Sequence, residues 1–177
     1  ASRGWKFNLN GKYIMPVIKM DDGSMMKNSI VLKADVSGSI AIGKRHSLKI
    51  GATLGSSLLQ EEPPLSYQFF VGGQSNMNYF DNIISFDGLR FTQLYGDHIA
   101  IAKMSWQYNF YKNLYAIANV NGGYINSDYN SWFSDKSFVF GCGLTFGIET
   151  MAGPIELSLM GSNRCSDLVG FLNVGYW

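Results

Sequence analysis

The sequence predicts an all-β fold: an antiparallel transmembrane β-barrel, or the C-terminal part of one. Three observations carry this. The first is a two-residue alternation between a greasy face and a small or polar face. In 138–148 one string is Phe138, Phe140, Cys142, Leu144, Phe146 and Ile148, and the other is Val139, Gly141, Gly143, Thr145 and Gly147. Successive strand side chains point to opposite sides, so the two faces meet different media. The second is length. Several alternating segments exceed ten residues, whereas soluble strands cluster near about five or six and a spanning strand needs about 9–11. The third is the mid-strand placement of Lys33, Asp35 and Lys103 on the polar parity. Such charges are costly in a packed core and cheap in a wet lumen.

Nine segments show the period. In 5–17, Trp5, Phe7, Leu9, Tyr13, Met15 and Val17 oppose Lys6, Asn8, Asn10 and Lys12. In 29–43, Ile30, Leu32, Ala34, Val36, Ile40 and Ile42 oppose Lys33, Asp35, Ser37 and Ser39. In 48–58, Leu48, Ile50, Ala52, Leu54 and Leu58 oppose Lys49, Gly51, Thr53, Gly55 and Ser57. The weakest segment is 65–71. Then follow 98–111, 114–125, 138–149, 154–160 and 169–177. Short turns are expected at 111–113 and 151–152, and longer connections at 127–136 and 162–168. The longest is 72–97, a length at which an irregular loop is usually functional. With the C-terminus periplasmic, the long loops fall outside, and nine strands would put the N-terminus outside as well. Bacterial single-chain barrels have even strand numbers. Either the count is off by one or this is the C-terminal part of a larger barrel. Trp5, Tyr108, Phe110, Tyr124 and Tyr176 sit near strand ends, where interfacial aromatic girdles lie. A soluble antiparallel sheet with one wet face remains an alternative, as does a lipocalin-like binder with its greasy residues inward.

Composition narrows the function. The net charge of +1 gives no nucleic-acid footprint. No run approaches the roughly 20 apolar residues of a spanning helix. No signal-peptide pattern occurs at Ala1–Trp5, so the start reads as mature or as an internal cut. Cys142, mid-strand, and Cys165, in an expected loop, have no metal-ligand spacing and should be too far apart for a disulfide. No cofactor and no metal are implied. Catalytic signatures are wanting: Gly73–Met77 and 55–59 fall short of the nucleophile elbow. Glu61-Glu62 before Pro63-Pro64 reads as a solvated turn. His46 and His98 read as exposed strand-end histidines, since the adjacent Asp97-His98 would point to opposite sides of a strand.

The last strand ends Leu172, Asn173, Val174, Gly175, Tyr176, Trp177. Leu172, Val174 and Tyr176 share the greasy parity, similar to the C-terminal signal strand of outer-membrane proteins. Trp177 has the other parity, as if one residue were missing after it. The likeness widens over 65–177. Gly72-Gly73 precedes the long loop, which carries Phe86-Asp87-Gly88-Leu89-Arg90-Phe91, and Gly153-Pro154 opens the penultimate strand. This resembles the C-terminal half of the Omp85 superfamily (surface antigen) barrel, most of all the version attached to bacterial patatin-like phospholipases. The resemblance implies a bacterial outer-membrane module, not itself an enzyme. It would anchor, and assist the passage or assembly of, a passenger domain outside this chain. It also implies a lumen occupied by the 72–97 loop. Many members carry Arg-Gly-Tyr or Arg-Gly-Phe at the loop tip; here Asp87, Gly88 and Arg90 stand there. Arg90 is the candidate tether to an acidic residue of the lumen parity, such as Asp35, Glu149 or Glu156. The expected partners are outer-membrane lipid, missing N-terminal strands or a passenger, or a second copy at open strand edges. A self-standing eight-stranded barrel of structural or adhesive type is the alternative. For the faces, Leu144→Arg should impair insertion and Thr145→Arg should be tolerated.

Overall fold

The computed structural model describes residues 4–15, 28–58, 67–74, 80–128 and 137–175. Eight long antiparallel strands form one meandering sheet: β1 (Gly4–Ile14), β2 (Ser29–Ile42), β3 (His46–Leu58), β7 (His98–Asn109), β8 (Leu114–Asn126), β9 (Phe138–Thr150), β10 (Gly153–Ser162) and β11 (Cys165–Val174). Three short strands, β4 (Phe69–Val71), β5 (Ile83–Ile84) and β6 (Leu94–Gly96), form a separate small sheet in the order β5-β4-β6. No helix occurs among the described residues. The main sheet is open, with β1 and β11 at its two edges.

The strands are 10 to 14 residues long, and each pairs with its neighbour nearly end to end. Alternation then keeps one parity on one side. Phe138, Phe140, Leu144, Phe146 and Ile148 are exposed on the outer face, while Val139, Gly141, Thr145 and Gly147 are buried on the inner one. The apolar residues of β10 and β11, including Leu157, Leu159, Leu172 and Val174, are exposed in the same way. An exposed face this apolar over a whole sheet is stable against hydrocarbon, not water.

Three sequence expectations change. The 65–71 segment contributes β4 to the small sheet, so the main sheet has eight strands, not nine. The even number puts the start of β1 and the end of β11 at the same end, that of the short turns at 43–45, 110–113 and 151–152. The expected 162–168 loop is also largely strand. A bulge between Met160 and Ser162 lets the pairing resume at Ser162↔Cys165, leaving only Asn163 and Arg164 to turn. Cys165 is therefore the first residue of β11, and both cysteines are free. Tyr176 and Trp177 of the terminal signal, Glu61-Glu62 and most of the 127–136 connection lie outside the described residues.

Candidate functional site

The 72–97 connection is not the irregular loop its length suggests. Together with β4 it is a small folded unit on the inner face of the sheet. β4 pairs parallel with β5 and antiparallel with β6. Gly72 N–H donates to Ile84 O (3.0 Å), Phe86 N–H to Gly73 O (2.9 Å) and Gly73 N–H to Leu89 O (3.0 Å). These bonds satisfy the unit's backbone internally, as burial requires.

Apolar packing fixes the unit to the wall. Phe69, Val71, Ile84, Phe86 and Leu89 form one buried cluster with Ile99 and Ile101 of β7 and Val139 of β9. Val31, Leu94 and Ile125 pack at its margin. This is the protein's hydrophobic core, and it lies on the face expected to be wet. The expectation of a small or polar face lining a wet lumen therefore fails at one end. There the inner parity carries Val31, Ile99, Ile101, Ile125 and Val139, because the docked unit replaces water.

Two glycines make the close approach. A side chain at Gly141 would strike the Asp87 carbonyl oxygen and the Phe86 ring. Gly88, at φ 88°, has no room for a Cβ because the Gly161 carbonyl lies against it. Between them the polar contacts converge on Asp87. Asn121, 2% exposed, is oriented with its amide nitrogen toward Gly141 O (3.0 Å), and its oxygen accepts from Asp87 N–H (2.9 Å). The opposite orientation would set oxygen against oxygen. The Asp87 carboxylate accepts from Gln74 Nε2 at 3.0 Å, within the unit itself. Lys103 of β7 donates from Nζ to Ser85 Oγ at 2.7 Å.

The candidate tether Arg90 meets a lumen-parity carboxylate of β11, Asp167, and not one of the three named for it. Its guanidinium lies 3.9 Å from Asp167, and both side chains are largely exposed, so the pair contributes little. Two of the carboxylates expected for it have other partners. Asp35 is paired with Lys33 (3.3 Å) and accepts from Thr53 Oγ1 (2.8 Å). Glu156 accepts from Tyr115 Oη (2.7 Å) and Asn173 Nδ2 (3.3 Å). The attachment thus runs mainly through Asn121, Lys103, two glycines and the apolar cluster, with the exposed Arg90–Asp167 pair a weak addition.

On the β1 side the contact is lighter. Lys12 Nζ meets Asp81 at 2.8 Å, and Asn10 Nδ2 donates to the same carboxylate at 3.3 Å. Between them and the β1–β2 wall is a polar cavity of about 450 Å³ lined by Lys6, Asn8, Lys33, Asp35, Ser37 and Asp81, with Phe80 and Ile83. Hydrogen bonding and attraction from Lys12 hold the Asp81 carboxyl below its usual 3.8. A lowered carboxyl value adds stability above the usual value and loses it as pH falls through the lower, folded one. Acidification below 3.8 should therefore loosen this contact in the wild type. A spin label attached at Phe80→Cys at neutral pH, in a background with Cys142 and Cys165 replaced, reports it. The acid-dependent rise in label mobility should vanish in Lys12→Met.

At the root of the unit, Asp97 N–H donates to Asn126 O (3.1 Å) and Asp97 O accepts from Ser57 N–H (2.8 Å), bridging β3 and β8. Burial pushes the Asp97 carboxyl up, against the lowering effect of the Gln68 side chain. His98 is not an exposed strand-end histidine. It is 5% exposed, and its Nδ1 is hydrogen-bonded to Ser56 Oγ at 2.8 Å. Among the described residues no group of three metal-ligating side chains occurs.

An open wall of long strands, greasy outside and carrying a folded unit inside, is the arrangement that decides the family. The OMP85 superfamily model matches residues 1–177. The chain belongs to the OMP85 superfamily. A search of the curated proteins finds no match. Superfamily membership makes the sheet an outer-membrane barrel-type module and points to the bacterial outer membrane.

Proposed function

We propose that this OMP85-superfamily chain supplies a barrel wall and its lumenal plug, and that the module anchors a passenger domain and assists its passage or assembly at the outer membrane. A patatin-like phospholipase domain is the passenger the sequence favours, and the chain itself is non-enzymatic. The observation that carries the reading is the docked 69–97 unit. A barrel serving only as an anchor or an adhesin has no need of a folded unit on its inner wall. Here that unit holds the largest fully buried side chains among the described residues, Phe69, Phe86 and Leu89. Its attachment is strong on β7–β9 and light on β1, which suits a plug that shifts while staying tied to one wall. The open sheet supports a wall completed by further strands over a self-standing eight-stranded barrel.

The test uses the full-length gene product in cells. Replacing 72–96 by a short Gly-Ser linker should leave the wall membrane-inserted. It should also sharply reduce the fraction of attached domain reached by external protease. Undiminished surface display would overturn the proposal.

A further inference from the structure

At the short-turn end the outer face changes character. His46 opens β3 directly opposite Tyr108 of β7, and its ring stacks on Tyr108 (4.7 Å, 17°) and lies parallel to Trp106 (5.7 Å, 2°). The turn before it carries Lys44 and Arg45, and Asn109 N–H donates to Arg45 O at 2.8 Å. The 43–45 turn therefore lies beside the 110–113 turn, which carries Lys112. Lys44, Arg45 and Lys112 are exposed, and among the described residues no carboxylate is within ion-pair distance of them. The carboxylates nearest this end, Glu149 and Glu156, have the inner parity. The opposite end carries Asp97, Asp128 and Asp167. The cations are thus gathered on one rim, above an amphipathic aromatic ledge that faces lipid.

We propose that Lys44, Arg45 and Lys112, with the His46–Trp106–Tyr108 stack as floor, form a binding site for the phosphodiester headgroup of an anionic phospholipid. Short turns mark the periplasmic side of a barrel, so the lipid is one of the inner leaflet. Cations in adjacent turns meet the phosphate, and the stacked rings meet the glycerol and upper acyl region, where aromatic side chains prefer to sit. Each cation near an anionic surface is worth about fivefold in lipid partition, so three acting additively give a preference of order a hundredfold.

The site rests on the outer-membrane placement, and the test separates the two. The full chain is reconstituted in phosphatidylcholine vesicles containing a small fraction of either brominated phosphatidylglycerol or brominated phosphatidylcholine. Quenching at Trp106 is taken as the difference between the parent and Trp106→Phe. Protease protection of the strands is read in parallel. Brominated phosphatidylglycerol should quench several-fold more strongly at equal mole fraction. The excess should fade in high salt and in Lys44→Ala/Arg45→Ala/Lys112→Ala, and survive in Arg164→Ala at the other end. Equal quenching by the two lipids in a protected protein overturns the site alone. So does a preference that high salt and the triple variant both leave intact, or displacement of phosphatidylglycerol by added lipopolysaccharide. Loss of protection in the parent overturns the placement and the site together.

Discussion

Leu144→Arg is expected to block stable insertion into a bilayer, whereas Asn119→Arg, one register position away on the adjoining strand, should insert normally. Leu144 is opposite Ala118 on β8 and Leu159 on β10, in the middle of the outer face, and is 44% exposed. A guanidinium at that depth on the lipid face costs about 2–4 kcal/mol. Asn119 has the inner parity between Ser105 and Gly143, two small neighbours that leave room for a longer side chain in the wet part of the lumen. Thr145, the position the alternation alone offers as a tolerant control, is a poor one. It is 3% exposed and its hydroxyl is hydrogen-bonded to Ser158 at 2.7 Å, so an arginine there displaces packed neighbours. Urea unfolding in lipid vesicles measures both variants. Equal stabilities for Leu144→Arg and Asn119→Arg would contradict the assignment of faces.

The outer face was fully legible in the sequence because lipid imposes one demand on every outward residue. Phe138 through Ile148 alternate without exception, and the parity read from them fixes both sides of the sheet. The docked unit was only half legible. The phrase Phe86-Asp87-Gly88-Leu89-Arg90-Phe91 marks the segment, and attention falls naturally on its arginine. The structure spends the short residues instead: Gly88 against Gly161, Asp87 against Gly141 and Asn121. A glycine's role in close approach depends on what lies opposite, and that partner is more than fifty residues away in the chain. A readable signal did exist. Val31, Ile99, Ile101, Ile125 and Val139 are apolar on the inner parity and cluster toward the long-loop end of their strands, while Ile117 and Phe171 share that parity nearer the other end. Apolar side chains pointing into a lumen require an apolar occupant.

The strand count shows the same division between local and distant information. Periodicity over 65–71 is real, and β4 does alternate. It cannot reveal that β4 pairs with β5 and β6, because hydrogen-bond partners are set by the whole topology. Once β4 leaves the main sheet, the count becomes even and both edge strands have an end at the short-turn side. That placement brings the Lys44–Arg45–Lys112 rim and the aromatic ledge together at one end of the sheet.

Gly141→Ala is expected to loosen the docked unit, and Gly143→Ala, two residues along the same face, to leave it in place. The volume added is the same; the obstacle differs. At Gly141 the new methyl meets the carbonyl oxygen of Asp87, a residue whose N–H is held by the Asn121 amide oxygen and which is followed by Gly88, itself seated on Gly161. None of these can yield without moving the chain. Relief requires the unit to lift, which draws Phe86 and Leu89 out of their cluster. At Gly143 the methyl meets Cγ of Met160 at 2.8 Å, so the strain falls on a buried side chain of β10 and not on the backbone of the docked unit. Overpacking of the first kind costs about 1–3 kcal/mol, equivalent to a roughly five- to hundredfold rise in the open population. Trypsin cleavage after Arg90, already exposed but in a folded segment, reads that population when opening is fast relative to cutting. Cleavage should accelerate within that range for Gly141→Ala and stay near wild type for Gly143→Ala. Phe86→Ala should match the first, because it removes the ring that seats the unit in the cluster and lies over Gly141. If Gly141→Ala is cut no faster than Gly143→Ala, the unit is not held where Asp87 meets β9.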